Sequence, residues 1–316
     1  MRVLLVYFSG CGYTFWAAQR LAACLSAQGH TVSGVLDIEK YAPAEQEKSE
    51  RHIFLTPTYF FAPPALFVKA LRKIPMVADK EAIVIATNGG QQGLTTIYTR
   101  SLLTERGYTV VGTTDLILPD TFIGLKSSQL TPAQRLAHLK KAENEIKELC
   151  KKIVGKTPFS CDRSRAYGLI ALPFLWVFRH AFGLSFISTD ACSHCGLCER
   201  ICPMHCILMK DGRPTWKYNC TACFRCINQC PAQAIDMSPV SWILGACGAV
   251  IGWMIVRFLF GWLGSFLSAI LALAGLAYGC VGGVAVGQKI YRKIAQAPLF
   301  AKRQRIAGPD IRKESK

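Results

Sequence analysis

Eight cysteines fall into two runs of the form Cys-x2-Cys-x2-Cys-x3-Cys-Pro, and nothing else in the chain constrains it so tightly. The first run is Cys192, Cys195, Cys198, Cys202 and Pro203; the second is Cys220, Cys223, Cys226, Cys230 and Pro231. They repeat at an offset of 28 residues, Ile207 falling on Ile235, so one half of residues 190–236 copies the other. A loop at this pitch curls round one iron–sulfur core and supplies three thiolates. The fourth must come from elsewhere, and where two such runs occur together the cysteine before proline ligates the other cluster. The pattern predicts two 4Fe-4S clusters, one on Cys192, Cys195, Cys198 and Cys230, the other on Cys220, Cys223, Cys226 and Cys202. Zinc sites instead separate their Cys-x2–4-Cys pairs by a longer loop, with no third cysteine close by. Cys206 lies opposite Ala234 in the repeat, so it reads as a small buried residue and not as a ninth ligand.

Fifteen cysteines would mean disulfides in a secreted chain, but cluster spacing accounts for eight and implies a reducing compartment. At 316 residues the chain is long enough for more than one domain. Residues 1–157 alternate short apolar runs with helical patterns, as a parallel sheet flanked by helices does. Strands are expected at Val3–Phe8, Val32–Leu36, Ile53–Thr56, Ala82–Thr87 and Val110–Leu118. Helices are expected near Tyr13–Gln28, Pro64–Arg72, Gly93–Arg106 and Pro132–Val154, the last opened by a Thr131-Pro132 cap. The apolar start, Met1–Phe8, is read as a strand because Ser9-Gly10-Cys11-Gly12 follows with no small-residue cleavage site.

Three loops should converge at the carboxyl ends of these strands, where doubly wound sheets bind ligands. Ser9-Gly10-Cys11-Gly12-Tyr13-Thr14 joins the first strand to the first helix, where open amides and the helix dipole attract phosphate. Thr58, Tyr59 and Phe60 follow the third strand, and an aromatic there could stack on a flat ring. Asn88, Gly89 and Gly90 follow the fourth, where glycine lets backbone amides approach the ring's polar edge.

With these loops in place the first domain resembles the flavodoxins, and residues 190–236 resemble the bacterial two-cluster ferredoxins. Residues 1–236 together resemble the flavodoxin–ferredoxin fusion proteins of anaerobic microbes. The resemblance implies an α/β flavodoxin-like doubly wound sheet binding flavin mononucleotide (FMN), followed by an α+β ferredoxin domain. The family's phosphate loop reads Ser-Gly-Thr-Gly-Asn-Thr; here Cys11 stands for the Thr and Tyr13 for the Asn, removing one hydroxyl and one amide. Restoring both would then be expected to tighten FMN.

Beyond the cysteines, Ser241–Gly287 runs 47 residues with one charge, Arg257. As a single helix it would be about 70 Å long, more than twice the roughly 30 Å of a bilayer core, so two transmembrane helices are expected. They are placed at Val240–Phe260 and Ser265–Val286, with Gly261–Gly264 as the turn. Small residues at four-residue spacing (Gly248, Gly252; Gly275, Gly279, Gly283, Gly287) would let the arms pack together, or join a homodimer by the same stripe. Nine Lys or Arg follow Gly287 and place this tail on the cytoplasmic side, facing anionic membrane lipid. Nucleic acid is disfavoured as the basic tail's partner, because the interleaved aromatics of a single-strand binder are missing. The apolar stretch Ala166–Ile187, broken by Pro173, is too short to span and reads as a linker, packed or lying in the membrane interface.

The domains expected are thus 1–157 flavodoxin-like, 158–188 linker, 189–238 ferredoxin, 240–287 membrane hairpin and 288–316 basic tail. The function expected is membrane-anchored electron transfer, with redox proteins or a small-molecule acceptor as partners. The rival expectations are a flavin-dependent reductase, of a quinone for example, and an iron–sulfur redox sensor whose flavodoxin-like domain is empty.

Overall fold

A computed structural model describes residues 1–41, 49–122, 130–155, 158–160, 183–260 and 274–287. The chain divides into two compact units, one built on Met1–Gly168 and the other on Leu169–Arg305.

The first unit holds β1 (Arg2–Tyr7), β2 (Thr31–Asp37), β3 (Arg51–Pro57), β4 (Lys80–Asn88) and β5 (Tyr108–Ile117). They form one parallel sheet in the order β2-β1-β3-β4-β5, the flavodoxin-like order of a doubly wound fold. Parallel neighbours require crossovers, supplied by α1 (Tyr13–Ala27), α2 (Ala65–Lys73) and α3 (Thr95–Glu105), with α4 (Pro132–Val154) last. α1 packs with α4, and α2 with α3, giving the sheet its helical cover. Every residue of β3 is buried, which is why the centre of the sheet reads as apolar runs without alternation. Two polar side chains in β3 are matched: buried Arg51 pairs with Glu81 and donates to the Ile153 carbonyl at 2.8 Å, tying α4 to the sheet. His52 Nδ1 shares a 2.8 Å bond with the Tyr108 hydroxyl. α4 starts where its cap and proline predict, and Thr131 and Gln134 close a reciprocal capping box.

In the second unit the cysteine repeat is visible in the backbone. β6 (Phe186–Ser188) pairs antiparallel with β9 (Ile235–Met237), and β7 (Ile207–Lys210) with β8 (Arg213–Trp216). Shifted by the repeat offset of 28, β6 falls on β8 and β7 on β9. Each copy therefore gives its first strand to the other copy's last strand. Short helices α5 (Leu197–Arg200) and α6 (Arg225–Asn228) correspond in the same way. So do the left-handed residues His194 and Ala222, Gly196 and Phe224, His205 and Gln233. Phe186, which the sequence reading left in the linker, is 1% exposed and packs edge-on against Trp216 and Phe224.

One residue after β9, Ser238 Oγ accepts from Ser241 N at 3.1 Å and opens α7 (Pro239–Phe260) with proline at its first position. Val240–Phe258 is long and apolar enough to cross a membrane by length and composition. α8 spans Ala274–Gly287 among the described residues. The Gly261–Gly264 turn, residues 265–273 of the second arm, most of the linker and the basic tail lie outside those residues. α7 and α8 meet along their glycines: a Cβ on Gly248 would strike the Gly279 carbonyl, and one on Gly252 the Gly275 carbonyl. Such approach is open only to glycine, and it fixes which faces meet. Phe258, 88% exposed, and Ile243 point away from that seam.

A Cβ at Gly245 would lie 3.6 Å from Cys280 Sγ, so Gly245→Cys should form an oxidant-induced bond to Cys280, detectable by peptide mass mapping. Adding Gly279→Leu should abolish that bond by forcing the helices apart.

Candidate functional site

The two curls of the repeat each present three thiols to a cavity. The first cavity, about 360 Å³ including its open mouth, is lined by Cys192, Cys195, Cys198 and Cys230 among others. The second, about 300 Å³ on the same measure, is lined by Cys220, Cys223, Cys226, Cys202 and also Cys206. The cysteine before proline thus reaches the cavity of the other copy in both cases, as the crossed strand pairing requires. Cys226 lines both cavities, so they share a wall. Among the described residues no three His, Cys, Asp or Glu side chains close on a point that would hold a single ion. The thiols surround spaces, which suits a cube of iron and sulfide with a thiolate at each iron. The donor set therefore fits 4Fe-4S clusters.

Backbone amides point at these sulfurs because the left-handed residues turn them inward. Ala222 N donates to Cys220 Sγ at 3.4 Å and Ala234 N to Cys230 Sγ at 3.3 Å. Such bonds favour the thiolate and tune a cluster's potential. As free thiols, several of these groups hold their protons. Burial, with Cys192 and Cys230 nearby, pushes Cys198 up to about 11, and burial also raises Cys226. Exposed Cys195 is shifted down by the Leu197 amide and the Ser193 hydroxyl. Metal uptake must therefore displace protons. Gly183 lies against Cys220, which lines the second cavity, and a Cβ there would collide with the Cys220 side chain.

In the first unit, Ser9–Thr14, Thr58–Phe60 and Asn88–Gly90 follow β1, β3 and β4, which are neighbours in the sheet. They are bonded together: Thr14 Oγ1 meets Thr87 Oγ1 at 2.7 Å, and Thr58 N donates to the Thr87 carbonyl at 2.8 Å. Gly12, with φ 97°, ends the loop, and no side chain caps α1 behind it. An anion at this end would meet first-turn amides. Ser9 Oγ accepts from Gly12 N at 3.0 Å and holds the loop's shape.

The second loop is a tight turn, with Tyr59 N donating to the Ala62 carbonyl at 2.9 Å. Its central residues Phe60 and Phe61 have φ 51° and 61°, positions that normally demand glycine or asparagine. Two bulky residues in left-handed conformation are costly and mark a constrained turn. Phe61 is 53% exposed, so the turn does not serve to fill a core. It is held by Leu94 N on the Phe61 carbonyl at 2.6 Å, across Gly93, where any Cβ would clash. Tyr59 stands edge-on to Phe8 at the end of β1. In the third loop the Asn88 side chain is engaged, donating to Asp115 and accepting from Gly90 N, while Gly89 and Gly90 are exposed.

Tyr13 departs from the sequence expectation. It is 4% exposed and its hydroxyl has no hydrogen-bond partner among the described residues. Burial raises that hydroxyl to about 12. The ring belongs to the core and not to the rim of the loop. Asp120, beyond β5, was not singled out in the sequence; it packs against Gly89, and burial raises its carboxyl. Only the fold brings it there.

A 4Fe-4S binding domain family matches residues 186–208, and this stretch is accordingly an iron–sulfur binding region. No curated protein matches the chain. Similar solved structures include a flavodoxin from the domain Archaea, at 17% identity over 48% of this chain and 99% of that one, TM-score 0.30. Flavodoxin 2 from Bacillus cereus is 19% identical over 49% and 99%, TM-score 0.37. A Streptococcus pneumonia flavodoxin is 14% identical over 50% and 100%, TM-score 0.36. The flavodoxin-like assignment rests on the strand order itself.

Gly183→Ala should displace Cys220 and remove one centre's iron, lowering it by about half, while the other centre's absorbance persists. Cys11→Thr should tighten FMN by about 1 kcal/mol, close to fivefold in titration, through one added hydrogen bond. Tyr13→Asn should instead cost about 3 kcal/mol of domain stability in denaturant unfolding, because it empties a core site.

Proposed function

We propose that this chain is a membrane-anchored electron carrier in which FMN in the first domain and two 4Fe-4S clusters in the second exchange electrons. The observation that carries the reading is the crossed distribution of eight thiols over two cavities with Cys226 between them. When bound, a flavin supplies one- or two-electron chemistry and each cluster supplies single electrons. The residues position and tune these groups. Cys192, Cys195, Cys198 and Cys230 would hold one cluster, and Cys220, Cys223, Cys226 and Cys202 the other. Amide donors such as Ala222 N and Ala234 N stabilise thiolate charge. Ser9, Gly10, Cys11, Gly12 and Thr14, with Tyr13 through its backbone alone, would form the phosphate end of the flavin site. Thr58, Tyr59 and Phe60, with Asn88, Gly89 and Gly90, would border its ring.

One observation favours a second reading, an iron–sulfur protein with an empty flavodoxin-like domain. Gly12 N, the Asn88 amide and the Thr14 hydroxyl all have partners within the protein. Flavin content separates the two.

The exposed apolar face of α7 and its glycine seam with α8 support insertion as a hairpin, with lipid as the partner. The cationic tail then favours the cytoplasm for the tail and both soluble domains. Redox proteins or a small acceptor would meet the carrier there.

Anaerobically purified protein should contain about eight iron and eight sulfide per chain by this ligation, with one FMN. About four iron, or zinc, would overturn the two-cluster reading, and absence of flavin before and after reconstitution would select the empty domain. For topology, Ser265→Cys should be labelled from outside intact cells and Ser315→Cys protected; the reverse pattern would contradict the cytoplasmic orientation, and labelling or protection of both would contradict the hairpin.

A further inference from the structure

The second cavity holds one thiol more than a cluster can use from its own curl and one partner. Cys220, Cys223 and Cys226 come from the curl, leaving Cys202 and Cys206 for the fourth position. Their sulfurs are 3.5 Å apart, and Cys206 is 1% exposed. The same turn occurs in both copies: His205 N donates to the Cys202 carbonyl and Gln233 N to the Cys230 carbonyl, each at 3.1 Å, with left-handed His205 and Gln233. This turn brings the residue four beyond the Cys-Pro cysteine back against its sulfur. In the first copy that residue is Cys206, in the second Ala234, whose amide meets Cys230 Sγ at 3.3 Å. Ala234 is not among the residues lining the first cavity, whereas Cys206 lines the second. The turn is shared, and the extra thiol is found on one side only.

We propose that Cys206 is an alternative fourth ligand of the second cluster, interchangeable with Cys202. This rests on the two-cluster reading above. With a cluster bound, either sulfur would serve as the fourth thiolate, and a change from Cys202 to Cys206 would exchange one iron–sulfur bond for another while the proton moved between the two sulfurs, which lie 3.5 Å apart. Two thiols and one proton are conserved, and no oxidant or reductant is needed. The first cluster has no such reserve, because Cys226 is committed to the other curl and position 234 has no sulfur.

The test uses the full chain, anaerobically reconstituted with iron and sulfide, and reads iron per chain together with low-temperature electron paramagnetic resonance. Wild-type protein at about eight iron establishes the underlying reading, and about four or fewer would defeat that reading itself. With wild type at about eight, Cys202→Ala and Cys206→Ala should each retain about eight, and the double variant should fall to about four. Cys230→Ala should fall to about four alone, because its centre lacks a substitute. Retention of the first centre's signal identifies each Cys202 and Cys206 variant as folded, and retention of the second centre's signal does so for Cys230→Ala; should Cys202→Ala lose the first centre's signal, Cys202→Ser with and without Cys206→Ala carries the same comparison. Loss of half the iron on substituting Cys202 alone would overturn the proposal. So would full iron in the double variant.

Discussion

Each curl of the cysteine repeat presents three thiols to a cavity, and the cysteine before proline that also lines that cavity comes from the other copy. That constraint organises the whole second unit. Cys202 can reach the cavity of the second curl, and Cys230 that of the first, only if the two copies are entwined. The strands follow suit, β6 pairing with β9 and β7 with β8, so neither copy completes a sheet alone. Phe186, Trp216 and Phe224 then pack beside the second cavity, where apolar walls strengthen every electrostatic term acting on the sulfurs. The outcome is two adjoining cavities with Cys226 in the wall between them.

The first unit meets a different constraint. A parallel sheet leaves its carboxyl edge to loops, and in the order β2-β1-β3-β4-β5 the loops after β1, β3 and β4 are adjacent. Thr14, Thr58 and Thr87 bond these loops into one rim, so a ligand's phosphate and ring could be bound by a single rigid edge. The Phe60–Phe61 turn is the costliest part of that edge. Its left-handed backbone is tolerated because Gly93 lets the next segment press against it.

Much of this was legible in the residues, for identifiable reasons. Cluster spacing depends on local chain geometry, so the two three-thiol curls were legible before any fold was known, whereas the crossing of Cys202 and Cys230 was implied only by the resemblance to two-cluster ferredoxins. Buried parallel strands give apolar runs, and the Thr131-Pro132 cap marks the start of α4 to the residue. What the sequence hid depends on three dimensions. Tyr13 stands where the flavodoxin phosphate-loop pattern has Asn yet turns into the core, since the direction of a side chain at a helix start is decided by packing. Cys206 looked inert because its repeat partner is alanine; only the turn through His205 brings its sulfur to Cys202. Gly183 lay in an apolar stretch with no motif, and its contact with Cys220 is wholly tertiary. Phe186 belonged to a strand of three residues, too short for periodicity to reveal.

The claim on which everything else rests is that two clusters sit side by side in one entwined fold. It is tested most directly by low-temperature electron paramagnetic resonance of the fully reduced, anaerobically purified chain. The account predicts a composite spectrum from two reduced 4Fe-4S centres, split and broadened by their mutual magnetic interaction across the Cys226 wall. The simple spectrum of one isolated cluster, or no cluster signal in a folded protein, would contradict it.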